Sequence, residues 1–169
     1  MFYDAIKCKE LNCDGGVIGF LHKDGRIDIE RTSKIVEAVY PLGVTFHRAF
    51  DRCLDPFKSL EQLIDIGCER VLTSGQQLTA PEGAPLIAEL NRAANDRIII
   101  MPGSGVRANN VQSLATQTGC IEFHTSLREL KQSGMDYFPA AFQQNDENNH
   151  YSVNEVAVRK TKEALLGRA

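Results

Sequence analysis

The feature that most constrains this chain is a repeat: short apolar runs, each preceded by a turn and followed by a helical pattern. The runs are Gly16–Leu21, Val44–His47, Arg70–Thr73, Arg97–Met101 and Cys120–His124. They recur roughly every 25 residues, enough for one strand and one crossover helix. Their apolarity is continuous rather than alternating, which predicts a parallel sheet covered on both faces. The intervening segments carry helix punctuation. Asp55 precedes Pro56 as a cap precedes the first helical position, and Gly67 stops that helix. Phe57, Leu60, Leu63 and Ile64 share one of its faces. Ile35, Val36 and Val39 mark a helix before Pro41, and Leu86, Ile87, Leu90 and Ala94 mark one after Pro81. Asn109 or Asn110 can cap a helix running through Val111 and Leu114 to Gly119. Residues 142–151 read as a polar loop, and Ser152 with Glu155 as a capping box for a final helix within 152–167.

Five β/α units in a row predict an α/β protein with a parallel sheet. A complete (β/α)8 barrel needs eight units and about 250 residues, and this chain has 169. It opens on a helical pattern over residues 1–12 with no strand before it. The expectation is therefore a single incomplete domain over residues 1–169, a partial TIM barrel whose five strands correspond to strands four to eight. Such a piece has open parallel edges and inward-facing Ile and Val, which invite association, a homodimer included.

Composition narrows the function classes. A net charge of −3 supplies no electrostatic footprint for nucleic acid, and no basic run suggests a membrane surface. No apolar stretch approaches the roughly 20 residues that span a bilayer, and the first residues lack the pattern of a signal peptide. A cytoplasmic location is expected. Of the five cysteines, Cys13, Cys68 and Cys120 each precede a strand, Cys8 lies on the leading helix, and only Cys53 follows a strand end. No cysteine or methionine cluster converges in the sequence, so a thiolate site for soft Cu(I) is not expected.

Several segments resemble one family. VTFHRAFD (Val44–Asp51) is similar to the fifth-strand signature of CutC proteins. It is followed in order by RVLTSG (Arg70–Gly75), EGAPL (Glu82–Leu86), IIIMPGSGV (Ile98–Val106) and EFH (Glu122–His124). Upstream, Asp14–Val17 and Asp24–Asp28 match that family's fourth unit. The resemblance implies a role in copper homeostasis, with copper implied by resemblance only. Family residues contributed by the first three strands are not carried over.

Barrel sites form at the carboxyl ends of strands. There, His47 and His124 are candidates for acid–base work or metal binding, Arg48 for meeting an anion, and Asp51 for orienting His47 or pairing with Arg48. Thr73, Ser74 and Glu122 are candidate cavity-lining residues. Gly103, Ser104 and Gly105 form a loop leading toward a helix, with Thr125 and Ser126 as the second half of an anion site after the last two strands. Three readings stay open: a copper-homeostasis protein, a barrel enzyme or binding protein for a small anionic or phosphorylated ligand, and a truncated inactive family member.

Overall fold

The computed structural model describes residues 2–142 and 148–167. Helix α1 (Phe2–Glu10) leads into β1 (Gly15–Ile18), and the alternation continues through α2 (Ile29–Val39), β2 (Gly43–Phe46), α3 (Pro56–Asp65), β3 (Arg70–Thr73), α4 (Ala84–Ala94), β4 (Ile99–Pro102) and α5 (Val111–Thr118). A 3-10 turn, Arg48–Arg52, follows β2. The four strands form one parallel sheet in the order β1-β2-β3-β4. This is the topology that short strands joined by crossover helices dictate.

The helix boundaries follow the expected chemistry. The Asp55 side chain accepts from the Lys58 amide at 3.0 Å and caps α3, with Pro56 in its first turn. Asp28 caps α2 in the same way through the Arg31 amide. α5 begins after Asn110 and ends at Gly119, which is left-handed (φ 70°).

The core lies between the sheet and the helices. Ile18, Phe46, Val71 and Ile100 are opposite one another in register and all are buried. They meet Leu60, Leu63, Ile87 and Leu90, each 0% exposed. The other, concave face of the sheet is covered only in part. Val17 on it is 66% exposed, and Thr45 and Ile99 are only half-buried. The expectation of a sheet buried on both faces therefore holds only in part: the helix face is packed, while the opposite face is open at Val17 and buried at Leu72, 8% exposed.

Three further expectations are corrected. Cys120–His124 forms no regular strand. It joins the sheet through one parallel bridge, Gly103 with His124, where the His124 amide donates to the Pro102 carbonyl at 2.9 Å. After it comes an antiparallel hairpin, β5 (Arg128–Gln132) with β6 (Asn149–Val153), so the polar segment 142–151 includes strand residues; 143–147 lie outside the described residues. Finally, α6 (Glu155–Leu165) is capped by Asn154, whose side chain accepts from the Ala157 amide, while Ser152 lies in β6.

Candidate functional site at the strand carboxyl ends

The loops after β2 and β4 and the start of β5 bring three arginines around one cavity of about 320 Å³. It is lined by Arg48, Ser104, Gly105, Arg107, His124, Thr125, Ser126 and Arg128. None of these is acidic, so the lining itself offers guanidinium and hydroxyl donors, with Asp51 behind it paired to Arg48.

Each guanidinium is held differently. Arg48 projects from the 3-10 turn after β2. Its Nε donates to Asp51 Oδ2 at 2.8 Å and its Nη2 to Ser74 Oγ at 2.8 Å. Asp51 is anchored in turn: it accepts from the Ser74 amide at 2.8 Å and from the Thr73 hydroxyl. The Asp51 side chain is 8% exposed, so this carboxylate is a buried bracket for Arg48. Arg107 Nη1 donates to the Val106 carbonyl at 2.8 Å and to Thr125 Oγ1 at 3.2 Å, tying the loop after β4 to the segment after His124. Arg128, at the start of β5, stacks over the Tyr151 ring at 4.9 Å, a cation–π contact.

The loop after β4 takes an unusual path. Ser104 (φ 78°) and Gly105 (φ 75°) are both left-handed, which is costly for serine. Two contacts hold it: Ser104 Oγ donates to the Leu78 carbonyl, and the Ser104 carbonyl accepts from the Ala80 amide, each at 2.9 Å. α5 starts only at Val111, so the loop does not run directly into a helix N-terminus. The Asn110 side chain instead ties back to the Gly105 carbonyl and the Arg107 amide.

The remaining expected residues fall outside the cavity lining. The His47 ring stands over Gly19 beyond β1, where an added Cβ would come within 2.3 Å of it. Its Nδ1 accepts from the Ala49 amide at 3.0 Å, so the proton of the neutral ring sits on Nε2. Asp51 therefore orients Arg48, not His47. The two histidines are not at neighbouring strand ends, because β3 and β4 lie between them. Gly103 is buried beneath His124, and its amide donates to the Thr73 carbonyl. Thr73 and Ser74 are 0% exposed and engaged with Asp51. Glu122 makes a two-point pair with Arg70, at 2.6 and 3.3 Å. Arg107 and Arg128 went unnoticed in the sequence. The signal is slight: each lies two residues past a loop residue of the site, Gly105 or Ser126.

The thiols divide sharply. Cys53, Cys68 and Cys120 are buried. Burial pushes the Cys68 thiol up to about 12 and raises Cys53 and Cys120 as well. Cys8 and Cys13, by contrast, reach the surface and meet each other, against the expectation that no cysteines converge. Among the described residues, no group of three or more His, Cys, Asp or Glu converges as a metal cluster would. No helix among them is long and apolar enough to cross a membrane.

Fold and cavity define an α/β protein of alternating strands and helices, with its polar site at the carboxyl ends of the strands. Within that class the chain belongs to the CutC family, whose family model matches residues 1–129. A family protein CutC of Parabacteroides distasonis is 56% identical over 137 residues, covering 81% of this chain and 56% of that one. One from Bacteroides fragilis is 42% identical over 167 residues, covering 98% of this chain and 66% of its own length. The chain thus spans little more than half the length of the first relative. A solved structure described as a copper homeostasis protein CutC of Streptococcus agalactiae superposes with a TM-score of 0.70 at 35% identity, covering 73% of this chain and 60% of that one. A structure described as native KDPGal superposes with a TM-score of 0.61 at 14% identity, over 99% of this chain and 66% of the other, and shares the fold alone.

Proposed function

We propose that this chain supplies the last five β/α units of a CutC-type barrel, strands four to eight, and acts in cytoplasmic copper homeostasis through a site for a small anion. The observation that carries the anion site is the cavity with Arg48, Arg107 and Arg128 on its walls and no carboxylate in its lining. Guanidinium forks match phosphate and carboxylate oxygens two at a time, and Thr125 and Ser126 add hydroxyls. His124, at the exposed rim, is placed to donate to the same ligand or to exchange a proton with it. His47, Arg48, Asp51 and His124 are the candidates for chemistry there. Asp51 positions Arg48, and His47 stands half-buried over Gly19, outside the cavity.

The family name of the Streptococcus relative supports the copper role, and the bridge from Gly103 to His124 supports the fifth unit. A thermal-shift series with inorganic phosphate, sulfate and a phosphate monoester tests the anion site. A saturable rise in Tm is expected, worth about 2.7 kcal/mol at a hundred times Kd. Melting unmoved by every anion would defeat it.

The open concave face favours a second reading, in which two copies pair and cover Val17 and Ile99. Light scattering that returns a monomer at every concentration removes that reading.

A further inference from the structure

At the opposite end of the sheet from the arginine cavity, α1 closes in a Schellman cap. Asn12 is left-handed (φ 56°), the Cys13 amide donates to the Cys8 carbonyl at 2.9 Å, and the Asn12 amide donates to the Lys9 carbonyl at 3.1 Å. This closure sets the side chain of the third residue from the helix end against that of the second residue past the cap, a contact usually made by two apolar groups. Here both residues are cysteines. The Cys13 thiol is held above its ordinary range by desolvation first, then by the charge and hydrogen bonding of Cys8. Cys13 is exposed and Cys8 half-buried, so an ion can approach both sulfurs.

We infer that Cys8 and Cys13 together bind one soft monovalent ion of the Cu(I) class in two-coordinate form. Thiolates select soft ions over hard ones. Structural zinc demands four ligands, and among the described residues no third His, Cys, Asp or Glu converges to extend this pair. A filled-shell Cu(I) ion, in contrast, is satisfied by two sulfurs in line. The helix carboxyl end disfavours free thiolates beside it. Loading then breaks two S–H bonds, forms two S–Cu bonds and releases two protons to solvent, with copper remaining Cu(I). The backbone cap holds the two cysteines side by side before binding, which lowers the entropy cost of gathering them. The inference rests on the copper part of the proposed function and is independent of the anion cavity.

The test is an anaerobic Cu(I) titration against a chromophoric chelator, using the full chain, a Cys8→Ser/Cys13→Ser double variant and a Cys53→Ser control. Wild type and Cys53→Ser should each withdraw one equivalent from the chelator, and the double variant should lose it. X-ray absorption of the loaded wild type should show two sulfur neighbours. As a readout that needs no variant to fold, Cu(I) should protect Cys8 and Cys13 from alkylation, read by mass spectrometry. If the double variant binds as wild type does, or the two thiols are unprotected, the location is wrong while copper handling stands. If wild type withdraws no Cu(I), the site and the direct copper role of this chain fall together.

Discussion

The two faces of the parallel sheet differ more than any other pair of regions in the molecule. On the helix side, Phe46, Val71 and Ile100 are at most 1% exposed, and the face is held by apolar burial. On the concave side, Val17 and Ile99 meet solvent, and Arg70 reaches across to Glu122. The first face carries the stability of the fold. The second is the surface that a closed barrel would fill with packed side chains. The site sits on the rim between them, where Asp51 draws its bonds from the buried Thr73 and Ser74 while Arg48 leans out to the cavity.

The contrast can be broken most easily with large changes. Phe46→Ala should cost about 3–5 kcal/mol in chemical denaturation, whereas Val17→Ser on the open face should stay within about 0.5 kcal/mol. Equal losses would mean that the concave face is covered in solution. Next in size is an alkaline effect. The Cys68 thiol ionises near 9.0 when unfolded and near 12 in the fold, so the unfolded chain loses its proton first. Its contribution is complete below pH 9 and lost as pH rises toward 12, at about 1.4 kcal/mol per unit. Stability of Cys68→Ala relative to wild type should therefore improve across that window, and a difference independent of pH would contradict the buried thiol.

Asp51→Asn should cost about 1–3 kcal/mol by weakening a buried hydrogen-bonded acceptor. It should also weaken phosphate binding by freeing Arg48. Loss of stability with unchanged binding would make Asp51 purely structural. Smaller again, Glu122→Gln should cost less than about 1 kcal/mol, since both partners of its ion pair are partly solvated. A larger penalty would show Arg70 to be more deeply enclosed than its open face implies.

Much of the fold was legible in the sequence because strand, cap and stop signals are local. Arg70–Thr73 is a strand with the expected ends, Asp55 and Pro56 open α3, and Gly119 closes α5. The fifth strand failed for a tertiary reason. Glu122 and His124 alternate as a strand would, but Ile121 is 81% exposed and only one bridge to β4 forms. The β5–β6 hairpin was missed because its register depends on pairing across a long connection, and its strands are largely polar. In the site, glycines and hydroxyls announced the loops. Arg107 and Arg128 did not stand out, since a loop arginine is ordinarily solvated, and only the folded chain turns these two toward Arg48. The cysteine pair escaped because spacing alone does not reveal a Schellman cap.

The central claim, a small-anion site built by arginines from three separate segments, is tested most directly by calorimetric titration of inorganic phosphate into wild type and Arg107→Ala. The account predicts one saturable site in wild type, weakened by roughly 1.5–3 kcal/mol when Arg107 is removed, the usual worth of a charged hydrogen bond. Phosphate that fails to bind wild type, or binds Arg107→Ala equally well, would contradict it.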